Sequence, residues 1–411
     1  RTSASPVTSF SRGLSYGAGT RRLRTALIVG EVALSTSLLV GTALCLTSLA
    51  RLHRVPLGFD PDGIAAARVT LPAGAYATPE RQQAFFIDVL ERLERLPQVS
   101  GAAIAFGLPF AADNYVSPYI VAGRPIVPPG ERPRAGLRIV TENYLQVMRM
   151  RLVTGRFFTA SDRTGAPGVC VVNETLARRE FAGRSPIGEV LLRGRDADQR
   201  FEIVGVVADV KTNGPRQDAP GEVFLPFRQV PRPIGAVTVR SASRPEALAP
   251  LLQSVVAAVD PDLPISGFAT MDQQINTTIG PDRILAALTS AFGGAALLLA
   301  AIGLYAVLAH GVSARTVEIG VRMAVGADRA AILRLIVLGG MRLVATGIAA
   351  GLTLAALGAR VLEAQLYGIS ARDPLAYVMV AGLFALVGFT ASIVPARRAA
   401  RVDPIVSLAA S

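Results

Sequence analysis

Apolar residues gather in four long runs along this chain, and the region between the first run and the second follows shorter periods. Ile284 to Ala309 and Leu375 to Val394 carry no charged side chain; Thr25 to Leu49 carries only Glu31, near its start, and Leu335 to Ala359 only Arg342. At about 1.5 Å per helical residue, each run covers a hydrocarbon core of roughly 30 Å. The pattern predicts four membrane-spanning helices, at 25–50, 284–310, 331–360 and 375–395. Arg342 can snorkel toward an interface.

Residues 51–283 read as an outer domain. Turn signals at Gly58 to Gly63 lead into AAARVTL (65–71), which reads as a strand. Pro79 to Leu96 reads as an amphipathic helix with Phe85, Phe86, Val89, Leu90 and Leu93 on one face, and GAAIAFG (101–107) as a second strand. A comparable β-α-β unit follows at AVTVRS (236–241), Pro245 to Val259 and PISGFAT (264–270). The two units, at about 58–130 and 234–270, are expected to pair into one split α+β layer. The middle, about 134–230, is expected to be a β-rich insert forming its own small subdomain. There Arg138 to Val140 and Val169 to Val172 read as strands, and Thr141 to Met148 and Asn173 to Phe181 as short helices, the second capped by Asn173. RFEIVGVVADV (200–210) reads as a strand rich in β-branched residues. Met271 to Asp282 is expected to run as a helix into the second span, making a stiff connection. The fold class is therefore a membrane α-helical bundle of four transmembrane helices, with a large extracytoplasmic α+β domain inserted between helices 1 and 2.

Composition agrees, with 51% apolar residues and a mean hydropathy of +0.43. The net charge of +12 sets the orientation: residues 51–283 hold 27 basic and 24 acidic residues, so +9 lies on the membrane-flanking parts. Arg1, Arg12, Arg21, Arg22 and Arg24 precede the first span, Arg315, Arg322, Arg329, Arg334 and Arg342 lie between or near spans two and three, and Arg397, Arg398 and Arg401 follow the fourth. By the positive-inside tendency, both termini and the 310–334 loop face the cytoplasm. The basic excess is assigned to topology and anionic membrane lipid, with no nucleic acid as partner. Residues 1–24 read as a cytoplasmic polar linker without a cleavable signal pattern, so the chain reads as part of a longer polypeptide. Cys45 and Cys170 imply no disulfide framework.

Candidate chemistry is sparse. The one lysine, Lys211, sits in GVVADVKT (205–212), which meets most of the phosphate-loop pattern but has Val210 in place of the second glycine. Two histidines, His53 and His310, support no triad or two-histidine metal site. The reading is a protein that is not an enzyme and needs no cofactor or metal. Glu31 is either an intramembrane proton or substrate site, or a carboxylate near the cytoplasmic surface paired with a neighbouring arginine or helix; the second is the expectation. Ser37 and Gly41 in span one, and Gly347 and Gly351 in span three, have small-xxx-small spacing. Span two has Gly293, Gly294 and Gly303. Such faces suit close helix packing, within the chain or across a dimer.

The most informative stretch is RTVEIGVRMAVGADRAAILR, Arg315 to Arg334. As a helix it places Arg315, Glu318 and Arg322 on one face and Val312, Ile319 and Met323 on another. Gly326 would end it, and Asp328 would cap the helix rising into span three. Such a helix would lie along the membrane with its polar face toward the cytoplasm.

EIGVRMAVGADRAAILRL within this stretch closely resembles the loop motif of the MacB and FtsX type of ABC-transporter permease, and PARRAARVDPIVSL (395–408) resembles its C-terminal motif. FEIVGVVADVK (201–211) and NETLARREFAGRSPIG (173–188) resemble the MacB periplasmic core. GEVALSTSLLVGTALCL (30–46) is similar to duplicated permeases of acidobacteria, in which two four-helix units occur in tandem. The resemblance implies a permease subunit with a separate ABC ATPase, a second permease unit (a homodimer partner or a tandem unit of the same chain), and in some systems a periplasmic adaptor. It implies that Arg315, Glu318, Ile319, Gly320, Arg322, Gly326 and Ala327 dock on the ATPase. It also implies mechanotransmission, in which nucleotide-driven closing of the ATPases moves the outer domain to export a hydrophobic compound, peptide or lipoprotein. The alternative is a signalling scaffold of FtsX type that activates a periplasmic cell-wall hydrolase or sensor.

Overall fold

Lipid offers no hydrogen-bonding partners, so a spanning segment must satisfy its backbone internally, and apolar runs of this length fold as helices. The computed structural model describes residues 16–111, 115–242, 245–313, 321 and 328–399. Arg315, Glu318, Ile319, Gly320, Arg322, Gly326 and Ala327 lie outside the described residues. The chain divides into two compact units, one of residues 55–280 and one of the segments before and after it. The first helix of the membrane unit, α1, spans Tyr16–Leu52.

In the outer unit, β1 (Ile64–Thr70), α2 (Pro79–Glu94) and β2 (Val99–Phe106) form the first β-α-β unit. Thr78 accepts from the Arg81 N–H to cap α2, Pro79 fills its first turn, and the expected face of Phe85, Phe86, Val89, Leu90 and Leu93 is buried. Next come β3 (Val116–Pro118), β4 (Ile120–Val121), β5 (Arg134–Val140), α3 (Tyr144–Met148), β6 (Leu152–Gly155) and β7 (Val169–Asn173). They are followed by α4 (Glu174–Phe181), β8 (Val190–Arg193), β9 (Gln199–Val207), β10 (Glu222–Pro226), β11 (Ile234–Ser241), α5 (Leu248–Val259), β12 (Ser266–Thr270) and α6 (Met271–Thr278).

All twelve strands join in one sheet of order β12-β1-β11-β2-β5-β10-β7-β9-β8-β4, with β3 added to β5 and β6 to β9. β1 pairs antiparallel with β11 and β12, and β11 pairs antiparallel with β2. The region expected to be a separate β subdomain instead continues this sheet. The junction is short: β2 meets β5 through Ala105 opposite Val140 and Phe106 opposite Ile139. One buried cluster crosses it, from Ala65 and Phe86 to Cys170 and Ile203, and the Phe86 and Phe227 rings meet edge-on at 5.5 Å across the two regions. A core shared in this way removes the reason for a domain boundary.

Two expected helices differ. Thr141, read as the start of a helix, accepts from the Ile104 N–H and donates its own N–H to Ile104 O, which keeps it at the strand end, so α3 begins at Tyr144. The helix expected over Met271 to Asp282 breaks at Ile279 (φ −91°, ψ 4°), and α7 (Gly280–Ser313) begins afresh. Pro281 has no N–H to bond back to the preceding turn, so a break here costs little.

The membrane unit contains α1, α7, α8 (Arg329–Glu363) and α9 (Pro374–Ala399), four helices long and apolar enough to cross a membrane. Asp328 takes the N-cap position of α8, but its side chain makes no capping bond; its carbonyl accepts from Ala331 and Ile332 instead.

Candidate functional site

The helix that leads into the outer unit, α1, is also the most buried of the four spans. It runs antiparallel to α7. Ser35 donates to Ala296 O at 3.0 Å and, two turns on, Thr42 donates to Thr289 O at 2.7 Å. Between them a Cβ on Gly293 would come within 3.0 Å of Leu39 and 2.9 Å of Thr42 Oγ1. One turn beyond Ser35, a Cβ on Gly303 would reach within 2.6 Å of Glu31 Oε2. The glycines of α7 therefore bring the two backbones close enough for buried hydroxyls to bridge them, the usual adhesive between helices where lipid supplies no hydrophobic drive.

Against α8 the contact is tighter. A Cβ on Gly347 would stand 2.6 Å from Val32 Cβ, and one on Gly351 would stand 2.5 Å from Ala33 O and 2.6 Å from Thr36 Cβ. Gly340 and Gly388 repeat the device between α8 and α9, facing Ser392 and Val344. The Gly347 and Gly351 pair thus packs inside this chain, against Val32, Ala33 and Thr36. Gly41 lies 3.7 Å (as a Cβ) from Leu362 Cδ1 of α8, and Ser37 beside it is half-buried. Glu31 is half-buried and faces Gly303 of α7.

In the outer unit, the segment that comes from α1 and the one that leads to α7 are fastened to the same short stretch, residues 209–214. Gly58 (φ +86°) lies so close to Asp209 and Val210 that only a residue without a side chain fits, and Lys211 N–H donates to Leu57 O at 2.9 Å. Phe59 shares a buried cluster with Val210 and Met271, and half-buried Ile275 packs against it, the last two belonging to α6. On the α6 side, a Cβ on Gly214 would meet Thr278 Cγ2 at 3.1 Å. The stretch that resembled a phosphate loop is a root for both connections.

A polar network carries the root into the sheet. Asp209 accepts from the Thr175 N–H (2.7 Å), Thr175 Oγ1 (2.8 Å) and Asn173 Nδ2 (2.7 Å) at the N-terminus of α4, and from Arg178 (2.8 Å) in its last turn. A carboxylate there is favoured by the exposed N–H groups and the helix dipole. Asn173 Oδ1 caps Leu176 N and also accepts from Glu222 N at 2.8 Å. Glu222 Oε1 accepts from Thr212 Oγ1 at 2.8 Å and from Arg138 Nε and Nη2 at 3.0 and 2.7 Å. Arg138 and Glu222 are 1% and 2% exposed, so neither tolerates loss of the other. The two motifs quoted for the periplasmic core, at 173–188 and 201–211, meet here.

Asp60, just past the root, accepts from Arg149 at 2.7 Å and from Arg240 at 3.3 Å, while Arg240 also holds Asp60 O and Val147 O. Burial acts to raise the Asp60 carboxyl, but the Asp62 N–H, Arg149 and Arg240 outweigh it and hold it below its ordinary value of 3.8. The incoming segment is thereby tied to β11 and α3. Sequence reasoning missed this root. The signal available was the pair of glycines Gly58 and Gly214, at positive φ, on either side of the VVADVK strand end.

A four-span membrane protein with a large outer α/β unit inserted after its first helix is the class that fold and site define. Residues 57–255 match the MacB-like periplasmic core domain, and residues 290–404 the FtsX-like permease C-terminal domain. The chain belongs to the MacB/FtsX type of ABC-transporter permease, a multi-pass inner-membrane family of transport components rather than enzymes. It is 33% identical over 288 residues to the macrolide export ATP-binding/permease protein MacB 1 of Aeromonas hydrophila, covering 66% of this chain and 42% of that protein. It is 26% identical over 280 residues to the pyoverdine export ATP-binding/permease protein PvdT of Pseudomonas putida, covering 64% and 41%. It is 26% identical over 290 residues to the uncharacterized ABC transporter permease YknZ of Bacillus subtilis, covering 68% and 70%. The matched part spans about two fifths of the length of the MacB and PvdT relatives. Among solved structures, the periplasmic region of MacB from Actinobacillus actinomycetemcomitans aligns with a TM-score of 0.37 and 17% identity, over 54% of this chain and 94% of that one.

Proposed function

We propose that this chain is a permease subunit that a separate ABC ATPase drives by mechanotransmission, both termini and the loop around 314–327 facing the cytoplasm. Arg315, Glu318, Ile319, Gly320, Arg322, Gly326 and Ala327 form the contact with the ATPase. Closing of the ATPases displaces α7 and α8, and α1 and α7 pass the displacement to the outer unit. A second permease unit, as a homodimer partner or a tandem unit of a longer chain, completes the machine, and a periplasmic adaptor receives the cargo. The cargo is a hydrophobic compound, peptide or lipoprotein taken from the outer face of the membrane, in keeping with the export named for the MacB and PvdT relatives.

The observation that carries this reading is the root: both connections to the membrane helices fasten on residues 209–214, and those two helices are bonded through Ser35 and Thr42. A displacement of either helix relative to its surroundings then enters the sheet at one place. Charge reversal at Arg315 and Arg322 (R315E/R322E) tests it. The variant should fold and insert, the ATPase should still hydrolyse ATP, and export should fall at least tenfold. Unchanged coupling would reject the docking role. Capture of a cell-wall hydrolase by the outer unit would favour the signalling scaffold over export.

A further inference from the structure

Between α8 and α9 lies an open groove of about 300 Å³, lined by Leu333, Arg334, Val337, Leu338, Phe389, Ile393 and Arg397. The contacts of Gly340 with Ser392 and of Gly388 with Val344 fix the antiparallel register of these helices. In that register Arg334 stands level with Arg397, Leu338 with Ile393 one turn deeper, and Phe389 a further turn down, about 12 Å below Arg397 at 1.5 Å per residue. The groove therefore has two guanidinium groups at its mouth and an apolar floor. Both arginines are exposed, and among the described residues no carboxylate pairs with either. The adjacent Arg398 is engaged elsewhere, donating to Tyr305 Oη at 3.2 Å. Leu338 and Phe389 remain 47% and 45% exposed, so the floor is open along its length.

Two cations at one level repel each other unless an anion lies between them, and a guanidinium fork matches phosphate oxygens in pairs. An apolar channel descending from that level suits an acyl chain. We infer that this groove is a binding site for one anionic phospholipid of the cytoplasmic leaflet, its phosphate held by Arg334 and Arg397 and one acyl chain laid over Leu338, Ile393 and Phe389. The choice of leaflet rests on the orientation proposed above; the choice of ligand rests on the groove. A lipid seated there bridges the ends of α8 and α9 that flank the loop assigned to the ATPase, and so places its headgroup charge beside that contact.

Native mass spectrometry of the full chain in detergent, with phosphatidylglycerol or phosphatidylcholine added, tests the site. The parent chain should retain one phosphatidylglycerol in preference to phosphatidylcholine. R334Q/R397Q should weaken that retention roughly tenfold to thirtyfold, as expected from about 1 kcal/mol for each basic residue. Leu338→Trp, which fills the groove and keeps both charges, should weaken it as well. Equal retention of the two lipids, or loss in R334Q/R397Q with full retention in Leu338→Trp, would overturn the groove site. Orientation is read separately: Ala330→Cys should react with an impermeant maleimide only in opened cells, since Cys45 and Cys170 are buried. Labelling in intact cells would overturn the cytoplasmic placement, whereas the micelle result decides the site.

Discussion

In the outer unit large side chains meet large side chains: Phe86 stands edge-on to Phe227 at 5.5 Å, over a cluster running from Ala65 to Ile203. In the membrane unit glycines let neighbouring helices close in, with Gly351 facing Ala33 O and Gly293 facing the Thr42 and Leu39 side chains. Water explains the difference. Removing apolar surface from water favours burial of big residues at about 25 cal/mol per Å², and lipid offers no such gain because its tails are as apolar as leucine. The bundle instead relies on close approach and on hydroxyls that donate across helices. The outer unit, in turn, can keep an ion pair such as Arg138 with Glu222 out of solvent, because Thr212, in the turn after β9, and Asn173, at the end of β7, fix Glu222 in place.

The largest effect expected of a single change lies in the outer unit. Arg138→Met leaves Glu222 buried and uncompensated and should cost about 3–5 kcal/mol, lowering the thermal midpoint of the full chain. Replacing both partners, R138M/E222M, should recover much of it. Equal midpoints for parent and Arg138→Met would show that the network contributes nothing.

In the bundle, Gly351→Leu drives a side chain into Ala33 and Thr36 and should cost about 1–3 kcal/mol by overpacking. Helix contacts reported by cysteine cross-linking between α1 and α8 should fall with it. Gly294, whose Cβ would meet nothing within 4 Å, is the control: Gly294→Ala should be neutral or gain up to about 1 kcal/mol from helix propensity. If both changes behaved alike, close approach would not be what binds the bundle.

Acid gives a smaller effect, read here at Asp60 just past the root. Asp60 is held below its ordinary value of 3.8, so its contribution to stability is complete above that value and is lost as pH falls through the folded one. The acid limb of the unfolding profile should be shallower in Asp60→Asn than in the parent. A parallel limb would mean that Arg149 and Arg240 do not hold this carboxylate in its charged form.

Much of this was legible in residue order. The four spans, the buried face of α2 and the Asn173 cap follow from local period and chemistry, which one stretch of chain contains within itself. The continuous sheet does not, since β5 meets β2 over two residue pairs and lies parallel to the distant β10, and no local pattern records such a pairing. Gly347 and Gly351 announced a close contact but not its partner, which is Val32, Ala33 and Thr36 of α1. Asp328 had the right residue type for a cap, yet its side chain does not bond. The root at 209–214 read as a phosphate loop that failed, because its role depends on Gly58 and Thr278, far away along the chain.

The central claim is that nucleotide turnover at the ATPase moves the outer unit through α1 and α7. The direct test places spin labels at Ile126→Cys, an exposed position, in a paired assembly of permease and ATPase, and reads the label-to-label distance with and without a non-hydrolysable ATP analogue. The distance distribution should shift with nucleotide, and Gly293→Val, which wedges α7 from Leu39 and Thr42, should abolish that shift while leaving ATP hydrolysis in place. A distribution unmoved by nucleotide in the parent assembly, or a full shift in Gly293→Val, would contradict it.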